Sequence, residues 1–157
     1  MSSASSPGAG EVTVGMPAVE TVYPVAWTAG RPVPFPTLYW LTDATLCRAV
    51  ADLERRGGVR RFEAELADDP AMRLALADDH DRYRRERWAA LTPDDRAALR
   101  WAGREAALTR TGIAGIHLAG GAGVPRGIGL KCLHAHVAHE LASGNTIGRR
   151  VLAVVGG

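Results

Sequence analysis

The run Lys131-Cys132-Leu133-His134-Ala135-His136-Val137-Ala138-His139 holds the chain's single lysine, one of its two cysteines and three of its five histidines. Every other basic residue among the nineteen is arginine. A composition that avoids lysine yet keeps one beside a thiol and three imidazoles marks these nine residues as the place to look for chemistry. On a helix turning ~100° per residue, with Cys132 at zero, His136 falls near ~40°, His139 near ~340° and Ser143 near ~20°. These side chains share one stripe, while Leu130, Leu133, Val137 and Leu141 cluster opposite and form the core face. His134 lies with the leucines and reads as a buried histidine bonded to a backbone carbonyl.

Two chemistries suit the stripe. Cys132 and His136, one turn apart, fit metal-ligand spacing, and a Cys132/His136/His139 set suits zinc better than iron or copper. Three ligands on one helix converge poorly, so a closed site needs a further ligand such as Cys47 or a carboxylate. The other chemistry is a reactive thiol. In the first turn of its helix Cys132 is favoured as thiolate by the macrodipole and by Lys131, with His136 or His139 as base. Backbone N–H groups at the helix start, Gly127, Gly129 and the cations Arg126, Lys131 and Arg110 then compose an anion pocket. The order of glycines, lysine and helix resembles a phosphate loop but is not a Walker A, because Ile128 and Cys132 stand where glycine and Ser/Thr are required.

The elements that must position this run read as mainly α with minor β. Residues 1–33 are small, polar and proline-rich, an extended or disordered arm, and 34–157 form a single globular domain. Leu38-Tyr39-Trp40-Leu41 is the one short N-terminal strand, bringing Tyr39 and Trp40 toward the site. Thr42 or Asp43 starts a helix stopped by Gly57-Gly58, and a short helix follows. Asp69-Pro70 and Thr92-Pro93 each start another, the last running to about Leu108 with Trp101 and Leu108 inward. Seven glycines between Gly112 and Gly129 interrupt the helices and allow a short hairpin. Leu130 to Ser143 is the Cys/His helix, and Thr146 to Val155 a final apolar element.

Composition narrows the function classes. A net charge of +2 over 157 residues gives no footprint for nucleic acid, and the mixed signs of Asp78–Arg87 read as a solvated helix face. No stretch reaches the ~18 apolar residues of a membrane span, and the first residues lack the pattern of a secretory leader. Two cysteines make no disulfide framework. A cytoplasmic protein is expected.

Two segments also carry a family resemblance. Phe35-Pro36-Thr37-Leu38-Tyr39-Trp40-Leu41-Thr42 and Gly129-Leu130-Lys131-Cys132-Leu133-His134-Ala135-His136-Val137-Ala138-His139, with Arg110–Gly115 and Gly144–Gly148 in order, resemble the bacterial, mostly actinobacterial, domain of unknown function 501 family. The resemblance covers Pro34 to Gly148 and implies no assigned activity. Where it implies Cys-Pro after Leu-Thr, this chain has Asp43-Ala44, so the resemblance does not carry over a two-cysteine site built from that position and Cys132, although Asp43 offers a ligand oxygen.

Two readings follow. One is a small enzyme acting on an anionic, phosphate- or carboxylate-bearing molecule through Cys132, His136 and His139, with Lys131, Arg126, Arg110, Gly127, Gly129, Tyr39 and Trp40 around the substrate. The other is a non-catalytic module whose Cys/His cluster holds a structural metal or meets a protein partner.

Overall fold

In the computed structural model, which describes residues 18–157, the chain is mainly helical with minor β structure. Four short strands come first: β1 (Val19–Thr21), β2 (Val25–Thr28), β3 (Arg31–Pro34) and β4 (Tyr39–Leu41). β2 and β3 form a hairpin whose two-residue loop, Ala29-Gly30, has positive φ at both positions, as the right-handed strand twist demands. β1 pairs antiparallel with β4, setting Glu20 opposite Trp40 and Thr21 opposite Tyr39. Residues 18–33, which the sequence assigns to the arm, thus carry three strands. Pro32 and Pro34 suggest polyproline geometry, but a two-stranded hairpin has free edges on both sides and tolerates them. Residues 1–17 of the expected arm lie outside the described residues.

The helices follow the cap signals closely. Asp43 starts α1 (Ala44–Arg55) by accepting from the Leu46 N–H at 2.7 Å. α2 (Gly58–Asp68) follows Gly57, whose φ of +88° is left-handed. Asp69 caps α3 (Pro70–Ala89) through Met72 N–H, and Thr92 caps α4 (Pro93–Trp101) through Asp95 N–H. The helix expected to reach Leu108 instead breaks at Gly103, and a short α5 (Ala106–Thr109) resumes it. Leu99 and Leu108 are buried, but Trp101, expected inward, is 93% exposed. It sits in the last turn before the break, where the chain leaves the core.

The glycine-rich stretch forms 3-10 turns at Ile113–Gly115 and Ala119–Gly121 with isolated bridges Thr111–His117 and Leu118–Pro125, and no hairpin. It lies tight against α3: a Cβ at Gly112 would stand 2.3 Å from His80 Nδ1. α6 (Leu133–Ser143) runs through the centre and packs on α1, α7 (Thr146–Val155) and β4. Val50, Leu53, Phe62, Leu66, Leu133, Val137, Ile147 and Val151 make the main core. α6 and α7 cross closely enough that a Cβ on Gly148 would fall 2.2 Å from the His136 carbonyl.

A second set of contacts holds the strand bearing Tyr39 and Trp40. The Leu38 N–H donates to the Tyr83 hydroxyl at 2.7 Å. Arg87, fully buried, donates to the carbonyls of Pro36, Leu108 and Thr111 and lies over the Tyr83 ring. α3 therefore pins both the lead-in to β4 and the start of the glycine-rich stretch.

Candidate functional site

A cavity of about 580 Å³ opens between β4, the first 3-10 turn and the start of α6. Pro36, Thr37, Tyr39, Trp40, Leu41, Ala114, Gly115, Lys131, Cys132, His134 and Ala135 line it. Of the residues expected at the site, Tyr39, Trp40, Lys131 and Cys132 meet here. Arg110 and Arg126 are exposed and do not line it. Gly127 lines a different cavity, beside Pro70, Leu74 and Ile128, and Gly129 stands near Glu63. The glycine-rich stretch turns back along α3 and carries these four away.

His136 and His139 are absent from the cavity, and both are fully buried. The helical-wheel argument fails at its origin. Cys132 is not in the first turn but is the N-cap of α6, with extended φ of −149°, so the 100° step does not reach it. Its thiol sulfur accepts from the Ala135 N–H at 3.5 Å. The residue that joins Cys132 at the cavity is His134, which the sequence assigns to the core and which keeps 32% of its side chain exposed. α6 is covered on nearly all sides, so the leucine face does not decide which histidine is buried.

His136 and His139 belong instead to an interior cluster. The His136 ring meets His80 edge-on at 6.1 Å, and His139 stacks on Tyr39 and meets Tyr83. His80 Nδ1 accepts from the Ile113 N–H at 3.0 Å. Burial pushes all three histidines down, His80 to about 3, His136 to about 4 and His139 to about 3. They are neutral at neutral pH, and none of them lines the cavity, although His139 stacks on Tyr39, which does.

A residue that no spacing points to completes the site. Glu54, in the last turn of α1, accepts the Leu133 N–H at 2.6 Å and so caps α6 from outside. The same oxygen lies 3.2 Å from His134 Nδ1, and His134 Nε2 lies 3.3 Å from the Cys47 carbonyl. Glu54 oxygen, Cys132 sulfur and a His134 ring nitrogen all lie within 4.8 Å of one another. Among the described residues no other group of three His, Cys, Asp or Glu side chains is so close. Asp43 stays outside it as the cap of α1.

Lys131, just before this group, has φ of +61°, and the Cys132 N–H bonds back to the Leu130 carbonyl at 2.8 Å. This is the strained, positive-φ form of the three-residue turn. It aims the lysine ammonium at the Gly115 carbonyl, 3.3 Å away across the cavity. The Cys132 thiol is pushed up, first by burial and also by the Glu54 carboxylate, against the helix-start N–H groups that favour the thiolate. Burial therefore disfavours the expected thiolate, and neither expected base is within the cavity.

Fold and site together define a mainly helical protein with a Cys/His/Glu cluster of metal-ligand type at the wall of an open cavity. The chain belongs to the DUF501 family, described as a protein of unknown function, which matches residues 10–153. No curated protein and no solved structure matches it. Among the described residues no helix is long and apolar enough to cross a membrane.

Proposed function

We propose that this protein is a small metal-dependent enzyme, with zinc held by Glu54, Cys132 and His134 and the remaining coordination position turned to the cavity. One observation carries the reading. The Cys47 carbonyl can only accept, so His134 Nε2 must be the protonated nitrogen when it bonds there. In a neutral ring this leaves the bare Nδ1 lone pair facing the Glu54 oxygen at 3.2 Å. Two lone pairs at that distance call for a cation between them, either a proton or a metal ion.

The separation suits a metal. With zinc about 2.0–2.1 Å from each, a 3.2 Å gap subtends roughly 100° at the ion, close to tetrahedral. A thiolate in the same shell would stand about 3.6 Å from the nitrogen, and since the three atoms lie within 4.8 Å of one another, Cys132 closes the set by an inward shift of no more than about 1.2 Å. The metal would also supply what Cys132 lacks, because coordination deprotonates a thiol that burial keeps protonated. Cys132 and His134 line the cavity while Glu54 does not, so the ligands approach from the wall and the open side faces the cavity. Three protein ligands and an open position are the pattern of catalytic rather than structural zinc. There the ion can polarise a carbonyl or phosphoryl oxygen or acidify water, and Lys131 supplies the positive charge that suits an anionic small molecule. A reducing cytoplasm would keep Cys47 and Cys132 as the free thiols they are.

Cobalt titration tests the proposal. The protein should take up one Co²⁺ per chain with thiolate-to-metal charge-transfer absorption. Cys132→Ser and His134→Gln should abolish it, whereas Cys47→Ser, whose thiol points to the Leu41 carbonyl, should keep it. Absent absorption, or its loss in Cys47→Ser alone, would remove the metal centre and leave a Glu54–His134 contact that only caps α6.

A further inference from the structure

The cavity walls carry a second message. Its lining contains no aspartate or glutamate, and besides His134 it holds one basic side chain, Lys131. Among the described residues no carboxylate pairs with Lys131; its ammonium meets the Gly115 carbonyl. That carbonyl satisfies one of three donors and none of the charge. Both flanking backbones are forced: Lys131 has φ of +61° and Ala114, beside Gly115, has φ of +56°. Strain of this kind persists where the surroundings demand that placement.

The rest of the wall is apolar and partly aromatic: Pro36, Tyr39, Trp40, Leu41, Ala114 and Ala135. Trp40 is 47% exposed although the chain holds it firmly. Phe35 stacks on it with ring centroids 6.1 Å apart and planes within 7°. Tyr39 is fixed at both ends, its hydroxyl donating to Glu86 at 2.9 Å and its ring stacked on His139. The orientation-locked Trp40 indole beside one unpaired cation makes a preformed receptor with a flat apolar side and a single anionic point, while Tyr39, next to it in β4, turns its ring to the other face, onto His139.

From this we infer that the cavity binds a small molecule made of a flat, apolar body and one oxyanion, carboxylate or phosphate. The body packs against Trp40. The oxyanion sits between the Lys131 ammonium and the open side of the metal. The metal half of that grip rests on the function proposed above; the aromatic wall and Lys131 do not.

Titration calorimetry with defined probes tests it, on zinc-loaded and zinc-free full-length protein. The probes are 2-naphthoate and 2-naphthyl phosphate, set against 2-naphthol, octanoate, acetate and inorganic phosphate. At least one naphthyl anion should bind one to one, tenfold or more tighter than 2-naphthol, octanoate and its own headgroup alone. The tighter of the two identifies the oxyanion as carboxylate or phosphate. Lys131→Gln and Trp40→Ala should each weaken it at least tenfold with melting temperature unchanged, and Lys131→Arg should restore most of the loss. Equal binding of 2-naphthol overturns the anionic point, and equal binding of octanoate overturns the flat body. Zinc should strengthen the anions and leave 2-naphthol unaffected; equal affinity in zinc-free protein overturns the metal half alone. A normal cobalt spectrum with no naphthyl anion binding overturns this inference while the metal centre stands.

Discussion

His134 Nε2 lies 3.3 Å from the carbonyl of Cys47, so the ring that reaches the cavity from α6 is oriented by the backbone of α1. α1 also sends Glu54 to the same ring and to the first N–H of α6. α1 thus serves as cap and orienter and, in the proposed centre, as ligand donor, and these roles can be separated by substitution.

Glu54→Gln keeps an oxygen that can accept from Leu133 N–H but loses the charge. Its stability should fall by no more than about 1 kcal/mol, the worth of one ordinary hydrogen bond. Its zinc affinity should drop by more than the roughly 10–100-fold that loss of an outer-shell partner costs. Competition with a chelating dye measures the second effect and thermal melting the first. A large stability loss with unchanged affinity would make Glu54 a cap alone.

The buried histidines set the acid limit. Their folded-state pKa values are lowered to about 3 to 4, whereas in the unfolded chain each takes a proton near ~6.5. The unfolded state therefore binds more protons across that window, and stability falls as pH drops below ~6.5. Each histidine adds a slope of up to about 1.4 kcal/mol per pH unit, so the three together remove about 6 kcal/mol by pH 5. Urea midpoints from pH 7.5 to 4.5 should show this fall, and His80→Asn, which keeps an acceptor for Ile113 N–H, should cut the slope by about a third. An unchanged slope in that variant would place the acid sensitivity elsewhere.

Arg87→Leu should be among the most damaging single changes. It leaves the buried carbonyls of Pro36, Leu108 and Thr111 without their donor, at a cost of about 3–5 kcal/mol. Burial lowers the guanidinium only to about 10, so it remains charged at neutral pH and the loss should not depend on pH between 6 and 8. Arg87→Lys should recover only part, since one ammonium cannot span three carbonyls with a planar fork.

Two glycines separate crowding from backbone strain. Gly148→Ala would put a methyl 2.2 Å from the His136 carbonyl and 2.7 Å from Glu140 Cβ. α6 and α7 must then part, at about 3 kcal/mol or more. Gly103→Ala meets nothing within 4 Å and suffers only from its φ of +66°, costing about 1–2 kcal/mol. Denaturant melts of the two should differ in that order.

Helices were the legible part of this fold, because Asp43, Asp69-Pro70 and Thr92-Pro93 announce their starts through local hydrogen bonds. The strands at 19–34 were not. Their pairing partners are set by distance in space, as with Val19 opposite Leu41, and the prolines argue locally for an arm. At the site the nine-residue run drew attention to Cys132, Lys131 and the cavity wall. Which histidine faced outward depended on Cys132 being a cap, with the helix starting at Leu133 and not at Leu130. Glu54, nearly eighty residues away, left no signal in spacing at all, and its part in the site comes only from the packing of α1 on α6.

Lys131 allows function and stability to be pulled in opposite directions. Its left-handed φ of +61° costs a side-chain-bearing residue about 1–2 kcal/mol, and glycine removes that strain at about 0.5–1 kcal/mol of extra unfolded-state entropy. Lys131→Gly should therefore be as stable as the parent or more so, by up to about 1 kcal/mol. It also deletes the one unpaired cation in the cavity, so naphthyl-anion binding should fall at least tenfold. Paired melting and calorimetry on this one variant decide the matter. A more stable protein that has lost its ligand marks Lys131 as held in strain for binding, and a destabilised one marks its contact with the Gly115 carbonyl as structural.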